Sequence, residues 1–425
     1  MTLDEEIKLF QAINCGKIST AAGHYNVIND NSAAAALYNQ GIAKAKLKDY
    51  INDNSVNFAS LINDGVDKLH SLQTKSGTFD LKLGYSCNNN CVHCVIRTNR
   101  EALIERKQSI DDNYVKVIHA LNTEQAKQAR DITITGGEPT LRKDFIYIMR
   151  YAAKHYSDKT INLQTNGRLL SRYIPEIASL GVNIGYVIAL HGRENIHNMI
   201  TRSKTGNPYR ETMESIEMLS KYYGDIDKVM RIEIVLSRYN LAGTPDFVEY
   251  LYSQGIKHIG ISYPHLDGIA SKSIEEAMSI GFSYAELKPV LYGLYNIAVK
   301  NEDIKLEFEK VPACMWRDNE DRFIGYINNT RSMDPLAYAV DVTIKFPQSE
   351  PQSFNETYRA MHRKPSVCSK CAFNQSCMGV WEEAVLLYGD QGFTPVTKEE
   401  ADGWNSRISN KTGATTCVEL KEGCS

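Results

Sequence analysis

The chain has 425 residues, with 48 basic and 51 acidic side chains and a net charge of −3. That balance argues against a phosphate-backbone partner or an anionic membrane surface, and no apolar run reaches the roughly 18 residues that span a bilayer. Hydrophobic residues make up 43%, enough for large cores, and a chain of this length is expected to form two or three domains. The opening Met-Thr-Leu-Asp-Glu-Glu is acidic and lacks a signal peptide's basic and apolar regions. A cytoplasmic protein is expected, with neither nucleic acid nor membrane as partner.

Residues 1–77 read as helical. Ile-Asn-Asp-Asn-Ser occurs at 28–32 and again at 51–55, each copy preceding a helical stretch, 33–42 and 56–69. Asn, Asp and Ser side chains accept hydrogen bonds from the free N–H groups that open a helix. Only these caps repeat, not the helices, so the phrase reads as N-capping rather than a duplicated unit.

From about residue 78, short apolar runs alternate with amphipathic helices. Strands are expected at 79–85, 131–135, 159–164, 183–190, 228–236 and 257–262, and helices at 110–121, 143–155, 171–180, 211–223 and 245–254. In the first helix Ile110, Tyr114, Val117 and Leu121 recur at helical spacing, with Ser109 as the expected cap. Six strands alternating with helices imply parallel pairing through right-handed crossovers. That suits an open sheet or a barrel, with too few units for eightfold closure. Ser283 is placed to cap a long helix over 284–300, bent by Pro289, and a strand-like stretch follows at 303–311. The expected class is α/β: a helical region over 1–77, a barrel-like domain over 78–300, and a small cysteine-bearing domain over 301–425.

Ten cysteines are present, and six of them fall in two tight groups. In a chain without a secretory signal, such clustering points to metal or redox chemistry before disulfides. The first group is Cys87-x3-Cys91-x2-Cys94, directly after the first strand. Three thiolates on one tight loop suit three irons of a cubane [4Fe–4S] cluster, leaving the fourth iron open to a small molecule. Structural zinc is the rival, but it needs four ligands, and His93, as the neighbour of Cys94, is poorly placed to complete the set.

This motif resembles the signature of the radical S-adenosylmethionine (radical SAM) superfamily, over about residues 78–300. The resemblance implies a partial (β/α)6 TIM-like barrel, with His93 in the position that packs near the adenine. Gly136-Gly137-Glu138-Pro139, at the end of the second strand, matches the superfamily's GGEP motif, whose backbone and acid contact the methionine amino group of SAM. A carboxylate beside glycines that permit close approach suits an ammonium group. Asn166, His191 and Ser237 stand at later strand ends, where relatives place polar residues against SAM. Ala189 replaces a serine often found there.

The second group, Cys368-x2-Cys371-x5-Cys377, resembles the SPASM/Twitch extension that carries auxiliary [4Fe–4S] clusters, with Cys314 as the upstream cysteine of that pattern. Thr330 and Trp381 stand where the full pattern has further cysteines, so one auxiliary cluster is expected. Its fourth ligand is Cys314, or else Cys417 or Cys424. Cys15 reads as a small core residue. The resemblance implies reductive cleavage of SAM to a 5′-deoxyadenosyl radical, hydrogen abstraction from a substrate, and an external electron donor such as flavodoxin or ferredoxin. A ribosomally made precursor peptide is the expected substrate. A small metabolite is the alternative, and a non-catalytic zinc protein the remote one. No catalytic acid, base or hydrogen donor stands out.

Overall fold

The computed structural model describes residues 76–316, 338–341, 352–353 and 361–403, apart from Asp112, Ser271 and Ser376. The helices expected before residue 76, and Cys15, Cys417 and Cys424, lie outside the described residues.

The expected strands form β1 (Ser76–Lys82), β2 (Ala129–Thr135), β3 (Thr160–Thr165), β4 (Ile184–Ala189), β5 (Met230–Val235), β6 (His258–Ser262) and β7 (Lys305–Glu309). Alternation shows in β4 and β5, where Ile184, Tyr186 and Ile188, then Met230, Ile232 and Ile234, are buried and the residues between them less so. The stretch read as strand-like near 303–311 is β7, parallel to β6, which adds a seventh strand to the six expected in that run. They stand in chain order from β1 to β7, alternating with helices as a partial TIM-like barrel does.

The described residues group into two compact units. The first holds 76–190 and 201–231, with β8 (Tyr338–Asp341) and β9 (Gln352–Ser353). Its sheet runs β4-β3-β2-β1-β8-β9, with β8 parallel to β1 and β9 antiparallel to β8. Phe79, Leu81, Ile132, Ile134, Ile161 and Leu163 on the strands, and Val117, Ile118, Phe145 and Ile148 on helices, are fully buried. The second unit holds 191–200, 232–316 and 361–403. Parallel β5-β6-β7 forms its sheet, and β10 (His362–Arg363) pairs antiparallel with β11 (Val380–Trp381).

Two cap expectations have different outcomes. Ser283 caps helix Tyr284–Lys300 in a reciprocal box with Glu286, as read from the sequence. Asn113, not Ser109, caps helix Tyr114–Leu121, its side chain accepting from the Lys116 N–H at 3.1 Å. The reason lies in the segment just before the helix. Ile110 accepts the Tyr85 N–H at 2.7 Å, and Asp111 Oδ1 accepts the Ser86 N–H at 3.0 Å. Residues 110 and 111 thus pair with the segment that follows β1 instead of starting the helix.

Candidate active site

The loop bearing Cys87, Cys91 and Cys94 leaves β1 through Gly84-Tyr85-Ser86, and the 136–139 turn lies directly against that exit. The Gly137 N–H donates to the Gly84 carbonyl at 2.9 Å and the Glu138 N–H to the Ser86 carbonyl at 2.7 Å. A Cβ on Gly137 would stand 2.1 Å from the Ser86 oxygen, so only glycine permits this approach. Arg142 continues the clamp. It forms a buried bidentate pair with Asp144 at 2.6 and 2.9 Å, and its Nη1 donates to the Leu83 carbonyl at 2.9 Å.

Glu138 is 2% exposed. Its Oε1 accepts from the Thr140 N–H (3.0 Å), the Thr140 hydroxyl (2.5 Å) and the Thr165 hydroxyl (2.7 Å), and its Oε2 from the Asn166 N–H (2.7 Å). Each carboxylate oxygen has about two lone-pair sites, and Oε2 accepts one of these four bonds, so one site remains on it. Burial raises the Glu138 pKa, and the bonds from Thr140, Asn166 and Thr165 oppose that shift. Asn166 reaches from β3 to the cysteine loop, donating through Nδ2 to Asn88 Oδ1 at 2.7 Å, with Cys87 Sγ at 3.8 Å. Gly167 follows in a left-handed conformation (φ +77°), its carbonyl accepting from the Ser215 hydroxyl at 2.6 Å.

The three thiols perturb one another. Burial pushes Cys87 up to about 11, with the Glu138 and Cys94 charges adding to it. Burial, then the charges of Cys94 and Cys87, drives Cys91 well above the usual thiol range. Cys94 is raised, mainly by burial. Burial lowers His93, which is 7% exposed, to about 4, so its imidazole is neutral at physiological pH.

His191 and Ser237 belong to the second unit, where Asn240 ties them together. Asn240 Oδ1 accepts from the Ser237 N–H (2.7 Å) and hydroxyl (3.1 Å), while its Nδ2 donates to the His191 carbonyl at 2.9 Å. His191 Nδ1 accepts the Val235 N–H at 3.2 Å, which leaves the proton of a neutral ring on Nε2. In the same unit Cys314, Cys368, Cys371 and Cys377 line one cavity with Pro312, Phe373 and Val380. Burial, then the charges of Cys377, Cys368 and Cys371, pushes Cys314 up to about 12. The Gly379 N–H donates to Cys377 Sγ at 3.3 Å and the Val396 N–H to Cys371 Sγ at 3.4 Å.

The radical SAM superfamily description matches residues 81–251. Residues 81–251 belong to the radical SAM superfamily. Among curated relatives, molybdenum cofactor biosynthesis protein moc-5 of Caenorhabditis elegans is 25% identical over 169 residues, covering 40% of this chain and 26% of that protein. Mycofactocin maturase MftC of Mycolicibacterium smegmatis is 30% identical over 173 residues, covering 39% of each. The chain therefore spans well under two thirds of either relative. A solved structure of anSMEcpe with bound AdoMet and Kp18Cys peptide is similar in fold, with a TM-score of 0.52 at 14% identity over 79% of this chain and 96% of that one.

Radical SAM proteins use a [4Fe–4S] cluster and SAM, and the residues present fit both. Three half-buried thiols, two of them raised further by a neighbouring cysteine's charge, suit a cationic metal centre. Among the described residues, no three Cys, His, Asp or Glu side chains gather around one point as a single ion needs. The lone pair left on Glu138 Oε2 suits an ammonium group. Sequence reasoning missed Thr140, Thr165, Arg142 and Arg168, which touch no expected cofactor. The only sequence signals for them are their positions beside the GGEP and Thr165-Asn166-Gly167 turns.

Proposed function

We propose that this chain is a radical SAM enzyme that cleaves S-adenosylmethionine reductively, abstracts a hydrogen from its substrate, and modifies a ribosomally made peptide. The observation that carries this reading is the joining of the Cys87–Cys91–Cys94 loop to Glu138 and Asn166 through one hydrogen-bonded lattice. A [4Fe–4S] cluster held there supplies the electron for SAM cleavage. Cys87, Cys91 and Cys94 are its ligands. Glu138 holds the SAM ammonium, Gly136, Gly137 and Pro139 shape the turn that presents it, neutral His93 packs by the adenine, and Asn166, His191 and Ser237 are polar groups for the rest of SAM. Cys314, Cys368, Cys371 and Cys377 hold an auxiliary [4Fe–4S] cluster. Flavodoxin or ferredoxin is the electron donor.

The four-thiol cavity supports a peptide substrate, as do the likeness to MftC, a maturase, and the fold shared with a protein solved with a bound peptide. A small-molecule substrate is the second reading, favoured by the likeness to moc-5, a cofactor-biosynthesis protein. Anaerobic reconstitution tests the clusters: about eight irons per chain are expected for two cubanes, and zinc alone would refute the reading. Cys91→Ala should abolish 5′-deoxyadenosine release. Assaying the peptide encoded by any short reading frame beside the gene separates the substrate classes, because a mass change in that peptide requires the first and its absence favours the second.

A further inference from the structure

Arg168 is 6% exposed, and all three guanidinium nitrogens are hydrogen-bonded. Its Nε pairs with Glu211 Oε2 at 2.5 Å, and Nη2 donates to the Thr205 carbonyl at 2.7 Å. Nη1 donates to the Asn88 carbonyl (2.7 Å), Asn89 Oδ1 (2.9 Å) and Ser203 Oγ (2.8 Å). The single Ser203 hydroxyl proton is shared between the Thr205 carbonyl at 2.8 Å and the Asn88 carbonyl at 3.1 Å. The Asn88 carbonyl and the Asn89 N–H belong to one planar peptide unit, and that N–H donates to Cys87 Sγ at 3.4 Å. The charge on Arg168 therefore polarises a peptide whose far end points at a ligand sulfur.

We propose that Arg168 is a positioning residue that sets the reduction potential of the first cluster, acting on Cys87 through the Asn88–Asn89 peptide. This rests on the reading that Cys87, Cys91 and Cys94 hold that cluster. Hydrogen bonds to a ligand sulfur stabilise the more negative, reduced state and raise the potential, and a charged donor on the carbonyl strengthens the N–H bond beyond it. Ser203 is a weaker, uncharged donor to the same carbonyl, so its removal acts in the same direction with a smaller effect. Glu211 fixes the guanidinium plane from helix Pro208–Tyr223.

The test is an anaerobic redox titration of the full chain, following the electron paramagnetic resonance signal that changes on adding SAM, in wild type, Arg168→Gln, Arg168→Lys and Ser203→Ala. In Arg168→Gln the reduced-to-oxidised ratio at a fixed poise should fall about tenfold, a downward shift of about 59 mV for a one-electron couple. Arg168→Lys, keeping the charge, should recover part of it, and Ser203→Ala should shift the same way by less. Loaded Arg168→Gln with the wild-type potential overturns the proposal. If that variant takes up no iron, Arg168→Lys decides: a smaller downward shift supports the proposal and an unchanged potential overturns it. A wild-type chain with no SAM-sensitive iron–sulfur signal refutes the cluster reading instead.

Discussion

Replacing Gly137 with alanine tests how the 136–139 turn sets the cysteine loop. A Cβ there would stand 2.1 Å from the Ser86 oxygen and 2.7 Å from the carbonyl carbons of Ser86 and Tyr85, where ordinary contact begins at 3.4 Å. All three neighbours are backbone, so no side chain can swing away. The two segments must part by about 1.3 Å, which takes the Gly137–Gly84 and Glu138–Ser86 bonds, now 2.9 and 2.7 Å, out of reach. Two lost bonds at about 0.5–1.5 kcal/mol each, with about 1–3 kcal/mol of overpacking, give a loss of roughly 2–6 kcal/mol. Urea unfolding of the reconstituted protein reads this as a lower midpoint, and 5′-deoxyadenosine release should fall with it. Gly243→Ala is the control: its Cβ meets only the Asn240 oxygen at 3.9 Å, and its stability should stay within about 1 kcal/mol of wild type. A Gly137→Ala protein as stable and as active as that control would refute the reasoning.

Burial raises the Glu383 pKa from 4.5 to about 7, so the folded state holds a proton that the unfolded state has lost between those values. Stability contributed by this group is present below pH 4.5 and falls as pH rises to 7, by roughly 3 kcal/mol in all. Glu383→Gln should lack that fall, and equal pH slopes in urea midpoints for variant and wild type would count against it. Cys314→Ala should halve the iron content to about four per chain while sparing release of 5′-deoxyadenosine; retention of eight would move the fourth ligand to Cys417 or Cys424. Arg142→Met leaves Asp144 buried and unpaired and should cost about 3–5 kcal/mol in unfolding free energy. Thr165→Val removes a hydroxyl donor to Glu138 and should raise the KM for SAM; an unchanged KM would show that the bond does not shape SAM binding.

Much of the fold was legible because strand and helix periodicities differ. All six expected strands exist within a few residues of their expected limits, and the helix read at 284–300 is observed as Tyr284–Lys300. Helix Arg97–Glu105 escaped notice because its sequence, rich in charge, carries only a weak apolar stripe. The Ser109 cap failed because a long-range pairing of 110–111 with 85–86, invisible to local pattern, outweighs a good capping residue. Cysteine spacing marked the candidate ligands, since a metal-binding loop needs its thiols close in sequence. The groups that bond to that loop did not show: Arg168 lies 80 residues from Asn88 and reaches it through a tertiary contact with no local signature.

The pairing of β8 with β1 bears on how the chain can be cut. Without β8, the first strand of the barrel would present a bare row of N–H and C=O groups, a template for another molecule's strand. Among the described residues, β8 covers that row over Phe79–Lys82, and the two-residue β9 beyond it is a stub too short to recruit a neighbour. Fragments that end after β7 lose the β8 cover and should be more prone to edge-to-edge aggregation, so expression of the barrel alone should retain residues through 353.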